Sequence, residues 1–174
     1  MSKLNNAYAL LIGVGDDLAE SINDAIKINN ILIDETLAGY PEENVFLLTD
    51  KDATKENIVE AFDTLIEKVD EDSSVLLFYS GHGGHYVDLE DKNRYFLQPY
   101  GMREEMSYEE KMAMLFSSED LKNKLSQLNS KRLVFFLDCC HAAGMTKGGL
   151  NWSESATTAD EDASNPYNLS LIHI

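Results

Sequence analysis

The chain has 174 residues, 44% of them apolar and 26% charged, enough for one domain with a substantial core in an ordinary globular balance. Its 31 Asp and Glu against 14 Lys and Arg leave a net charge of −17. Such a surface repels nucleic acid and anionic membranes, so neither is expected as a partner, whereas cationic substrates suit it.

The two cysteines, Cys139 and Cys140, are neighbours and cannot join in an unstrained disulfide. A reducing, cytoplasmic location is the expectation. Zinc needs further Cys or His at suitable spacing, which the sequence does not offer, and no metal site is expected. The N-terminus has a short apolar run without a basic leader or small-residue cleavage site, so it reads as a strand rather than a signal peptide. No apolar stretch reaches membrane-spanning length.

Strand and helix alternate along the chain. Tyr8–Val14 is an unbroken apolar run stopped by Gly15-Asp16-Asp17, the pattern of a buried parallel strand. A helix is predicted over Ala19–Leu37, with Leu18, Ile22, Ala25, Ile26 and Ile33 on its buried stripe and Gly39 closing it. Asn44–Leu48 reads as a second strand. Ile58, Phe62, Leu65, Ile66 and Val69 then mark an amphipathic helix.

Ser74–Tyr79 is the third strand and runs into Ser80-Gly81-His82-Gly83-Gly84. Residues 85–114 are polar and irregular, with a short hairpin suggested around Arg94–Leu97. Ser117 and Asp120 resemble a capping box opening a helix with Leu121, Leu125 and Leu128. Arg132–Leu137 is the fourth strand, delivering Asp138-Cys139-Cys140-His141. Strands linked by helices imply right-handed crossovers and a mainly parallel sheet, hence a three-layer α/β/α sandwich. Residues 1–149 form this domain. Residues 150–174 read as a disordered acidic tail, and its apolar end, Leu169–Ile174, is either the start of a strand or, the reading preferred, a foreign end.

In such sheets the working crevice lies at the carboxyl ends of the strands. His82 follows the third strand and Cys140 the fourth. Neighbouring strands lie about 4.8 Å apart, so adjacency would bring an imidazole to a thiol, the pairing a cysteine nucleophile needs. Gly83 and Cys140 would each offer an unobstructed backbone N–H to an oxyanion. His85 lies further into the irregular loop and reads as a surface residue.

The blocks YALLIGVG (Tyr8–Gly15), Asn23-Asp24-Ala25, YSGHG (Tyr79–Gly83) and DCCHAAG (Asp138–Gly144) resemble those of metacaspases and bacterial caspase-like cysteine peptidases, in the family's order. The resemblance covers about Ala7 to Gly149. It implies a caspase-like fold, His82 as catalytic histidine, Cys140 as nucleophile, and Cys139 at a variable position. It also implies that Asp24 and Asp138 line a primary specificity pocket for Arg or Lys, so the substrates would be peptides or proteins with basic residues.

This sequence departs from the family at several places. Ala142-Ala143-Gly144 replaces the usual Ser-Gly, and Arg94 stands where a calcium-binding carboxylate is expected, beside Asp88, Glu90 and Asp91. No cofactor is therefore expected. The family completes its sheet with about two further strands, which the chain is expected to lack, so a missing C-terminal subunit is a candidate partner. That leaves a second reading, a caspase-like regulatory or interaction module with little activity. A nucleotide-binding reading fails, because Gly13-Val14-Gly15 is followed by Leu18 where G-x-G-x-x-G needs its third glycine.

Overall fold

The computed structural model describes residues 4–15, 17–140 and 168–173. A five-stranded sheet has the order β2-β1-β3-β7-β8, with every neighbouring pair parallel. Its strands are β1 (Ala7–Gly13), β2 (Val45–Thr49), β3 (Ser74–Ser80), β7 (Arg132–Asp138) and β8 (Asn168–His173). The β1 run is apolar throughout because both of its faces are covered. Leu10 and Ile12 face one layer of core, while Ala9 and Leu11 face the other.

Among the described residues, three helices cover this sheet. α1 (Ala19–Ile33) packs on one face and α2 (Lys55–Lys68) and α4 (Ser118–Gln127) on the other. The crossover through α1 runs from β1 outward to β2, and those through α2 and α4 run the opposite way. Right-handed connections require opposite faces for opposite directions. The three-layer expectation therefore holds. α2 buries Ile58, Ala61, Phe62 and Leu65, and the Thr54 side chain caps it by accepting from the Asn57 N–H. α4 starts at the Ser117/Asp120 capping box read from the sequence.

The buried stripe of α1 differs from the one predicted. Ser21, Ala25 and Leu32 are buried, whereas Leu18 and Ile26 are exposed. The cause is close approach: a Cβ on Gly13 would lie 2.5 Å from the Ser21 carbonyl oxygen and 2.9 Å from the Ala25 Cβ. A helix this near a strand must turn its small residues inward, so Ile26 is displaced to solvent. α1 also ends earlier than predicted, at Ile33. Asp34 accepts bonds from the Thr36 N–H and hydroxyl, and Gly39, at φ 66°, donates its N–H to the Asp34 carbonyl.

The segment read as irregular holds a second sheet, β4 (Gly83–Val87), β5 (Asn93–Leu97) and β6 (Phe116–Ser117), antiparallel in that order. It also holds a short helix, α3 (Tyr108–Met114), with a Ser107/Glu110 capping box. Stacking of Phe116 on Phe62 ties β6 to α2.

The apolar end of the chain is not a loose tail at 168–173: it forms β8, parallel to β7, adding a fifth strand where the sequence reading stopped at four. An alternating apolar run on the open side of β7 completes backbone hydrogen bonds that composition alone does not reveal. The disorder expected for residues 150–167 lies outside the described residues. No helix among the described residues is long and apolar enough to cross a membrane.

Candidate active site

Three parallel strands end side by side, and their ladders continue past the strand ends. The Val14 N–H donates to the Ser80 carbonyl, linking the exits of β1 and β3. The Gly81 N–H donates to the Asp138 carbonyl, linking those of β3 and β7. Ser80 and Asp138 are partners in register, and the Ser80 hydroxyl donates to an Asp138 carboxylate oxygen at 3.1 Å. His82 and Cys140 thus leave the same sheet edge from adjacent strands.

The backbone of His82 is fixed by two bonds to its carbonyl, from the Tyr79 hydroxyl at 2.7 Å and from the Gln98 N–H at 2.9 Å. Tyr79 is fully buried, so its hydroxyl needs partners and finds them here. The imidazole is 37% exposed, with Nε2 2.6 Å from Oδ1 of Asp17.

The Gln98 bond flanks the Gly83–Leu97 pair of β4 and β5, which makes that pair non-hydrogen-bonded in the antiparallel alternation. The Gly83 N–H therefore points away from β5, on the open side of β4. Cys139 and Cys140 press on the face of β4 at Gly83: a Cβ there would meet the Cys139 Sγ and the Cys140 carbonyl oxygen, both at 2.8 Å.

The two thiols differ. Cys139 extends the inward alternation of Leu133, Phe135 and Leu137 and packs against the core, while Cys140 is exposed. Burial, reinforced by Cys140 and Asp138, pushes the Cys139 thiol up from 9.0 to about 12. Iodoacetamide at neutral pH is accordingly expected to modify Cys140 and spare Cys139, since only a thiolate reacts readily. Peptide mapping checks this, and equal modification of both would mean that Cys139 is not shielded. A folded-state value above the unfolded one also means that Cys139 stabilises the fold below pH 9 and that this contribution is lost between 9 and about 12.

The two predicted pocket acids have separate partners. Asp138 stands at the carboxyl edge with Ser80, whereas Asp24 lies on α1, about half exposed, in an ion pair with Lys27 at 3.0 Å. The loop carrying Asp88, Glu90 and Asp91 is tied together by hydrogen bonds to the Asp88 carboxylate. Both Asp88 oxygens are taken, one by the N–H groups of Glu90 and Lys92 and the other by Arg94 Nε at 2.6 Å. The Lys92 N–H above all, then Arg94, holds the Asp88 carboxyl down at about 2. Among the described residues no group of three or more His, Cys, Asp and Glu gathers as a metal site.

A profile described as the caspase domain matches residues 5–171, nearly the whole chain. The chain belongs to the caspase domain family. The match extends past Gly149 into β8, so this strand lies within the caspase domain region. Metacaspase-1 of Eremothecium gossypii is 40% identical over 96 residues, 49% of this chain and 21% of that protein. Metacaspase-1 of Schizosaccharomyces pombe is 22% identical over 185 residues, 95% of this chain and 40% of that protein. This caspase domain thus spans less than half the length of either relative. A solved structure, protein GSU0716 from Geobacter sulfurreducens, shares the fold at a TM-score of 0.59 and 19% identity, covering 79% of this chain and 51% of that one.

The sequence reading did not assign roles to Asp17, Tyr79 or Gln98. Tyr79 was visible as the last apolar residue before Ser80, but its carbonyl partners lie in the loop and in β5. Asp17 looked like part of a turn that ends a strand. Only the sheet order, which puts β1 beside β3, shows that this turn reaches His82.

Proposed function

We propose that the chain carries the catalytic dyad of a cysteine endopeptidase that cleaves after Arg or Lys. One observation supports this most strongly: His82 and Cys140 leave adjacent parallel strands at one sheet edge, with the Gly83 backbone pressed against Cys139 and Cys140.

In this reading Cys140 passes its thiol proton to His82 and its sulfur attacks the scissile carbonyl carbon, while the C=O electron pair moves to oxygen. The Gly83 and Cys140 N–H groups receive that oxyanion. His82 gives its proton to the leaving amine as the C–N bond breaks, leaving a thioester on Cys140. Water then adds to the thioester, passing a proton to His82, and the thiolate leaves. Thiol and imidazole supply every group these steps need, so no cofactor is invoked.

Asp138, at the same edge, is proposed with Asp24 as the acidic wall for the substrate cation, which a carboxylate holds by charge-assisted hydrogen bonds. An arginyl chloromethyl ketone peptide is expected to label Cys140, and a peptide library should show cleavage after Arg and Lys. Asp138→Ala should lower that cleavage by about tenfold or more, since removing one partner of a charged contact costs about 2–5 kcal/mol. Preference for cleavage after Asp would overturn the acidic pocket but leave the dyad standing. Labelling at Cys139 alone would remove Cys140 as nucleophile.

A further inference from the structure

We propose that Asp17 is a positioning residue for His82, holding the imidazole by Nε2 so that Nδ1 is left for the thiol and the leaving amine. The inference rests on the reading of His82 as the proton carrier and adds a third residue to it.

The sheet order sets up the arrangement. β3, which delivers His82, lies between β1, which leads to Asp17, and β7, which leads to Cys140. The acid and the thiol therefore come from the strands on either side of the one that delivers His82. The two imidazole nitrogens point away from each other, and Oδ1 of Asp17 takes Nε2 at 2.6 Å. That bond also selects the tautomer, because a nitrogen facing a carboxylate carries the proton.

The local chain keeps Asp17 available for this role. The Val14–Ser80 bond holds the β1 exit against the β3 exit, and the Leu18 N–H donates to the Gly15 carbonyl, closing a turn over Asp17. An acid just ahead of a helix would ordinarily cap it, yet α1 is entered at Leu18 with no side-chain cap. The Asp17 carboxylate faces His82 instead. The imidazole, ahead of Asp17's own backbone N–H, holds that carboxyl below the usual range, so it is ionised at neutral pH.

The other ionisable groups around His82 do not duplicate this contact. The Tyr79 hydroxyl is on the His82 carbonyl, and Asp138 bonds Ser80 through its carboxylate and Gly81 through its carbonyl. Cys139 and Cys140 lie across Gly83. With Asp17 77% exposed, the pair contributes little to stability, which separates a positioning role from a structural one.

The test follows the imidazole and the thiol directly in the full chain. The His82 ring is titrated by NMR, its signal assigned by loss in His82→Ala. Cys140 alkylation by iodoacetamide is mapped against pH. In Asp17→Ala the His82 midpoint should fall, because an adjacent opposite charge is lost. The alkylation profile should change with it, while the melting temperature stays at the wild-type value. Asp17→Asn, which keeps an acceptor but not the charge, should fall between.

An unchanged His82 midpoint and alkylation profile in Asp17→Ala would overturn the inference, as would a lowered melting temperature with the midpoint unmoved. If His82→Ala itself leaves the Cys140 profile as in wild type, the dyad fails instead, whatever Asp17 does.

Discussion

Cys140→Ala is expected to abolish peptide hydrolysis, with a loss of about 10³-fold or more, and His82→Ala should cost nearly as much because the two act as a unit. The expectation rests on where the residues sit. Cys140 is exposed and His82 is partly exposed at the carboxyl edge, so neither substitution empties a core position, and both variants should melt like the wild type. Cys139→Ala provides the contrast. Its thiol is half-buried and held protonated to about pH 12, so turnover should survive, with at most a modest stability loss from the smaller side chain. Activity retained in Cys140→Ala but lost in Cys139→Ala would reverse the assignment. Activity retained in His82→Ala would move the base elsewhere, with His85 of β4 the first candidate.

Gly83→Ala should be nearly as damaging. The added Cβ would sit 2.8 Å from the Cys140 carbonyl oxygen, 2.8 Å from the Cys139 Sγ and 3.1 Å from the Cys139 Cβ. Two of these three atoms belong to the main chain or its first side-chain carbon and cannot swing aside, so β4 and the Cys139–Cys140 segment must separate. Separation shifts the Gly83 N–H relative to Cys140, and losing one well-placed oxyanion donor lowers kcat by about 10²–10³-fold. Because β4 is an edge strand of the small sheet, the five-stranded sheet should remain folded. Steady-state kinetics with circular dichroism would separate the cases. A Gly83→Ala variant with normal kcat would show that the contact is loose and that Gly83 is not an oxyanion donor.

Much of the fold was legible in the sequence, and for a local reason. β1 and β3 are buried on both faces and β7 is buried on one and half-buried on the other, so they appear as continuous apolar runs, and α2 and α4 display their stripes and caps within a few residues. The small antiparallel sheet was only partly legible. β4 reads Gly-Gly-His-Tyr-Val and β6 has two residues, too little alternation to separate a strand from a loop. α3 buries no residue, so it left no apolar stripe, although Ser107 and Glu110 were a readable cap.

Which chemistry-bearing residues the chain has, and that His82 and Cys140 each follow a strand, the sequence determined by itself. Residue type and position relative to an apolar run are properties of short segments. That β3 lies between β1 and β7 only the tertiary structure decided, because strand order is set by crossovers and packing between residues far apart in the chain. The same holds for the choice between Ser21–Ala25 and Ile26 as the buried face of α1, fixed by how closely the helix approaches Gly13. It holds also for Asp17, which is 65 residues from His82 in the chain yet 2.6 Å from it in space, and for β8, whose place beside β7 depends on backbone hydrogen bonds rather than on its composition.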